Sequence, residues 1–95
     1  MTPEELVHRG NKARQILEEP LVKEAFSIME RDVIELFYNC PQRDTEGMVY
    51  LQQNLRNVRK LKDLLLGVME TGKLEANKLQ RKSNLKETMF NSLRR

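Results

Sequence analysis

The sequence predicts an all-α protein: an antiparallel three-helix bundle, made of a helical hairpin plus an N-terminal helix, followed by a basic C-terminal helical tail. Apolar residues recur at spacings of three and four along most of the 95 residues, and no stretch alternates as a half-buried strand does. Short proline-containing breaks divide this pattern, and short connections favour antiparallel neighbours. We predict the bundle over residues 1–72 and the tail over residues 73–95.

The first helix is predicted to begin after Thr2. A threonine hydroxyl accepts well from the free amides of a helix N-terminus, and Pro3 suits the first helical position. Gly10 and Ala13 lie on the apolar stripe of this helix, where small residues allow a second helix to approach closely. A glycine without such a role weakens a helix by about 1 kcal/mol relative to alanine. The sequence leaves both interpretations of Gly10 open.

The second helix is predicted from Pro20 to about Asn39, because a proline disfavours helix at the preceding residue and can begin the next helix. Pro41 ends it. Its apolar stripe is the strongest periodic signal in the chain and comprises Val22, Ala25, Phe26, Met29, Val33, Leu36, Phe37 and Cys40. Ile34 and Tyr38 lie on the opposite face, as contact residues or as ordinary exposed apolar side chains.

The third helix is predicted to begin after a cap at Asp44 or Thr45 and to end at Gly72, since glycine commonly follows a helix C-terminus. Between Leu61 and Met69 the apolar side chains point in nearly all directions, so this segment of the helix must pack against neighbours on more than one side. Helix one or a second copy of the chain can be such a neighbour. We predict a homo-oligomer, with a dimer favoured. The predicted oligomer interface comprises Leu61, Leu64, Leu65, Leu66, Val68 and Met69.

The tail differs from the rest of the chain in charge. Residues 73–95 carry seven basic and two acidic side chains, whereas residues 1–40 carry five basic and eight acidic ones. Asn84 and Glu87 have the spacing of an N-cap and its third-position partner, which predicts a short amphipathic helix. Isolated helices of this length are marginal in water, so we expect it to be stable only when docked. The predicted partner-binding residues are Leu85, Met89, Phe90, Leu93, Lys82, Lys86, Arg94 and Arg95.

Three destinations of the tail stay open. The tail folds back on its own bundle, inserts its apolar face into a groove on a protein partner, or binds nucleic acid together with Arg56, Arg59 and Lys60. Aromatic residues make up only 5% of the chain, which leaves few rings for base stacking and makes nucleic acid the weaker candidate. We expect a protein partner. No membrane role is expected, because the apolar face is short and lacks tryptophan.

Catalytic and metal-binding chemistry is not expected. His8 is the only histidine and Cys40 the only cysteine, so the set of ligands that a zinc site requires is missing. The four glycines are scattered and form no phosphate-binding loop. We therefore expect no enzyme activity, no metal and no cofactor. The single cysteine and the lack of an apolar run of about 20 residues predict a cytoplasmic location.

Residues 10–21, GNKARQILEEPL, and residues 24–26, EAF, resemble small uncharacterised all-helical proteins of tailed bacteriophages. The connector around Asp44 and the long third helix fit the same resemblance, which covers about residues 8–75 and rests on packing and turn residues. It implies a phage accessory protein, either a virion-assembly factor or an inhibitor of a host protein. The implied location is the host cytoplasm or the virion. The resemblance implies no catalytic residue.

Overall fold

The computed structural model describes residues 1–93, which form three helices and no strand. Helix α1 spans Pro3–Glu18, α2 spans Pro20–Asn39 and α3 spans Thr45–Leu93. The predicted all-α class is confirmed. The molecule is extended, with principal dimensions of 78 × 25 × 20 Å and a radius of gyration of 21.5 Å.

The N-termini of α1 and α2 are capped by the residues that precede their prolines. The Thr2 hydroxyl accepts from the backbone N–H of Glu5 at 3.2 Å, as predicted. Glu19 is the one non-helical residue between α1 and α2, and its carboxylate accepts from the N–H of Val22 at 3.0 Å. Pro20 then begins α2. Local chemistry around the two prolines therefore explains both helix starts.

The turn between α2 and α3 is stabilised around Asp44. This residue is the N-cap of α3, because its Oδ1 accepts from the N–H of Gly47 at 3.0 Å. The thiol of Cys40 lies 3.9 Å from Oδ2 of the same carboxylate. Partial burial, and secondarily the charge of Asp44, raise the pKa of the Cys40 thiol.

The prediction that the third helix ends at Gly72 is wrong. Helix α3 continues through Gly72 to Leu93, and none of the described glycines has a positive φ, the conformation that a C-terminal glycine cap requires. Asn84 therefore lies inside α3, and the prediction that it begins a separate helix is also wrong. Asn84 instead accepts from Gln80 through its side chain at 3.3 Å and from the Thr88 hydroxyl through its backbone at 2.9 Å.

Gly72 is needed for packing, because α1 crosses α3 there at a very short distance. A Cβ built on Gly72 would lie 2.7 Å from the Cα of Gly10 and 3.1 Å from the carbonyl oxygen of Leu6. Gly10, Ala13 and Gly72 are all buried. The close-approach interpretation of Gly10 is thus the one that the structure shows.

Helices α1 and α2 follow one another along α3, and both run antiparallel to it. Gly10 of α1 meets Gly72, and Leu17, further along α1, lines a cleft with Leu66. In α2, Phe26 lines that same cleft, and Phe37 lines another cleft with Met48, near the start of α3. Helices α1 and α2 contact each other far less than either contacts α3. The predicted three-helix bundle is therefore not confirmed. A physical reason is the single-residue connection at Glu19, which leaves no loop for α2 to turn back beside α1.

Little of the chain is deeply buried. Among the apolar side chains of residues 1–93, only Ala13 and Phe26 are less than a tenth exposed. Phe26 lies where α2 meets α3, beside Leu66 and Met69. Leu79 is the last half-buried residue of α3, and every residue from Gln80 to Leu93 is exposed. The helix thus extends beyond the region that α1 covers.

Candidate protein-docking surfaces

The part of α3 from Gln80 to Leu93, here called the C-terminal extension, contains six of the eight predicted partner-binding residues. Its large apolar side chains are 56% to 84% exposed: Leu85, Met89, Phe90 and Leu93. Lys82 and Lys86 are also exposed. The remaining two predicted residues, Arg94 and Arg95, lie outside the described residues.

The helical period places most of these side chains together. Leu85, Met89 and Leu93 are spaced by four, so they form one stripe along the extension. Lys82 precedes Leu85 by three residues and Lys86 precedes Met89 by three, so both lysines lie on the same side of the helix as the apolar stripe. This side of the extension is therefore apolar and basic at once. Within residues 1–93 neither lysine has a carboxylate within ion-pairing distance, because the only ion pairs there involve Arg31 and Lys78.

The extension is helical because it continues a longer helix. An isolated helix of about 14 residues is marginal in water, chiefly because its first turn is costly to form. Here that turn already exists in the part of α3 that packs on α1. An ion pair between Lys78 and Glu75 at 3.3 Å stabilises the turn just before the extension. The packed turns of α3 thus hold the extension in a helical conformation, although its own amphipathic face is exposed.

A second exposed amphipathic face, not predicted from the sequence, lies on α2 on the side turned away from α3. We call it the outer face of α2. Its exposed apolar side chains are Leu21, Ala25, Ile28 and Leu36, and its exposed carboxylates are those of Glu24, Asp32 and Glu35. Leu21 is 69% exposed and Leu36 is 58% exposed. At the edge of this face Arg31 makes a 3.8 Å ion pair with Asp32, and both side chains are mostly solvated.

The six residues of the predicted oligomer interface do not share one environment. Leu65, Leu66, Val68 and Met69 are half-buried within the chain itself. Leu61 and Leu64 are more than half exposed. Packing within the chain thus buries part of this segment, and only two of the six predicted interface side chains are mainly exposed to solvent.

The predicted basic cluster is brought together on the surface of α3. Arg56, Arg59 and Lys60 line an open depression of about 390 Å³ with Asp63 and Leu64. Lys60 lies 22 residues before Lys82, which corresponds to about 33 Å along a helix. The basic cluster and the extension are therefore separate surfaces.

An apolar cleft of about 300 Å³ lies between α2 and α3 near their turn. Its walls include Ile34, Phe37, Val49 and Leu55. Ile34 is thus a cleft residue, whereas Tyr38 is almost fully exposed. Of residues 1–93, Gln52 is the only polar one that lines the cleft, so the cleft offers little to orient a small ligand.

Within residues 1–93, no three His, Cys, Asp or Glu side chains are grouped as metal ligands, and no helix is both long and apolar enough to cross a bilayer. Comparison with protein-family models, with curated proteins and with solved structures found no match.

Proposed function

We propose that this protein is a non-enzymatic interaction or assembly protein that docks on a protein partner through its C-terminal extension. The observation that carries the proposal is the exposure of Leu85, Met89 and Leu93 on one side of a helix that leaves the body of the molecule. Amphipathic helices are typically recognised by burying such a stripe in an apolar groove. Lys82 and Lys86 would favour an acidic rim and raise the association rate more than the affinity.

The proposal is tested by affinity capture with the full chain and with residues 1–80 alone, followed by identification of the bound proteins. The shortened chain should keep its helices, because residues 81–93 are exposed and cover little of the body. At low micromolar concentration we expect the same melting temperature within a few degrees, and we expect loss of the captured partner. A sharp fall in the melting temperature would instead show that the extension stabilises the body.

Two point variants of the full chain sharpen this test. Leu85→Asp places a charge on the apolar side of the extension, whereas Asn84→Asp places the same charge on the other side. Only the Leu85 variant should lose the partner. Equal capture by both variants would overturn the proposal, because the stripe would then not be the binding surface.

Nucleic acid is the second candidate partner, favoured by the clustering of Arg56, Arg59 and Lys60. Such binding would be weak and would fall steeply as the salt concentration rises. A mobility-shift titration at low ionic strength tests it, with the double variant Arg56→Glu/Lys60→Glu as the comparison. No shift with the unmodified chain would eliminate this candidate. Phage origin, with action in virion assembly or on a host protein, stays a prediction from the resemblance.

A further inference from the structure

The charges of the C-terminal extension determine which chemistry a surface needs in order to bind it. One stripe of α3 is at least half-buried and has alternating spacings of four and three residues. It comprises Val68, Gly72, Glu75 and Leu79. The same spacing continues through Lys82, Lys86, Met89 and Leu93. A helix packed on this continuation must therefore bury apolar side chains and also offer carboxylates to two lysines.

The outer face of α2 has this composition. Leu21, Ile28 and Leu36 supply an exposed apolar stripe, and Asp32 and Glu35 supply carboxylates beside it. The two surfaces also match in length. Leu21 to Leu36 covers about 22 Å of helix and Leu79 to Leu93 about 21 Å, at about 1.5 Å per residue. Opposite charges beside two apolar stripes give the pairing of e and g positions seen in coiled coils.

The extension cannot reach the outer face of α2 in its own chain. Helix α3 is continuous, and α2 lies beside the part of α3 between Met48 and Met69. From Met69 to Leu85 the helix advances about 24 Å along its axis and away from α2. The fold-back destination is therefore closed to the extension, and an α2 face can be supplied only by another molecule.

We propose that the outer face of α2 binds the C-terminal extension of a second copy of this chain. The inference rests on the proposed function and names the partner. In the proposed arrangement the two copies lie antiparallel, each extension lies beside the other copy's α2, and the two α1 helices, which lie between these surfaces along α3, pass side by side at the centre. Such a reciprocal arrangement makes the contact twice and closes as a dimer with two-fold symmetry.

Charge-reversal variants test the pairing by sedimentation at high micromolar concentration. The unmodified chain should sediment as a dimer of twice 11.2 kDa. Lys82→Glu/Lys86→Glu sets acid against acid in both contacts, and Asp32→Lys/Glu35→Lys sets base against base. Each double variant should raise the dimer Kd by about tenfold or more. All four positions are exposed, so the helices should be retained and circular dichroism should be unchanged.

Mixing the two double variants supplies the decisive result. In the mixed dimer both contacts again join opposite charges, so a one-to-one mixture should recover the dimer that neither variant forms alone. Arg56→Glu/Lys60→Glu changes the net charge as much as Lys82→Glu/Lys86→Glu does, but lies outside both surfaces, and should leave the dimer intact.

Two results would overturn the inference. A monomer of 11.2 kDa at high micromolar concentration would show that no second copy binds. An unchanged dimer with Asp32→Lys/Glu35→Lys would show that the copies meet elsewhere. If the chain is monomeric but captures another protein through Leu85, this inference fails and the proposed function stands. If the chain is monomeric and residues 1–80 capture the same proteins as the full chain, both fail.

Discussion

The crossing of α1 and α3 at Gly10 and Gly72 predicts that alanine at position 72 destabilises the fold although alanine is the better helix former. In Gly72→Ala the new methyl group would lie 2.7 Å from the Cα of Gly10 and 3.1 Å from the carbonyl oxygen of Leu6. Both obstructing atoms belong to the backbone of α1. No side-chain rotation relieves the contact, and the two helices must separate.

Two opposing effects determine the magnitude. Replacing glycine by alanine inside a helix stabilises it by about 1 kcal/mol, and overpacking a close contact destabilises by about 1–3 kcal/mol. We expect overpacking at the upper end of this range, because the obstacle is backbone. The net loss in free energy of unfolding for Gly72→Ala should then be about 1–2 kcal/mol.

Gly67 supplies the matched control in the same helix. A Cβ at Gly67 meets nothing within 4 Å, so Gly67→Ala should gain the helix preference alone, about 0.5–1 kcal/mol. For a chain of this size the two variants should differ in melting temperature by about 10 °C or more. Thermal denaturation followed by circular dichroism at low micromolar concentration measures the difference. A Gly72→Ala protein that melts at or above the unmodified chain would refute the close crossing.

Two further predictions concern α2 and its turn. Phe26→Ala should lower the free energy of unfolding by about 3–5 kcal/mol, because Phe26 is the one large side chain in residues 1–93 that is less than a tenth exposed. Urea denaturation measures this loss. A loss smaller than that of Gly72→Ala would contradict the place of Phe26 in the core. Asp44→Ala should cost about 1 kcal/mol through loss of the α3 cap, whereas Asp44→Asn should keep the cap. The Asp44→Asn variant also removes a charge that raises the pKa of Cys40, so the pH profile of Cys40 alkylation should move to lower pH. Alkylation profiles that coincide for the unmodified chain and the Asp44→Asn variant would show that the carboxylate has no such effect.

Elements decided by neighbouring residues could be predicted from the sequence. Thr2 with Pro3, and Pro20 after Glu19, determine helix starts through bonds within one turn, and the structure has these starts at the predicted positions. The amphipathic character of the tail is likewise evident from the sequence, because Leu85, Met89 and Leu93 keep their spacing in any helix.

Elements decided by distant residues could not be predicted. A glycine followed by a change in composition indicates a helix end, and the same glycine also suits a close helix crossing. Only the position of Gly10 distinguishes the two roles of Gly72. The outer face of α2 escapes sequence analysis for a related reason. The helical period assigns Leu36 to the apolar stripe, but its exposure depends on which side of α2 meets α3.

Residue type and local spacing are enough to predict the all-helical class, the starts of the helices and the uneven distribution of charge between the two ends of the chain, because each of these depends only on neighbouring residues. Three features are visible only in the folded molecule: α1 and α2 follow one another along α3, α3 runs unbroken through Gly72, and the extension is exposed along its whole length. These features depend on contacts between residues far apart in the chain, such as Gly10 and Gly72, which no local pattern encodes.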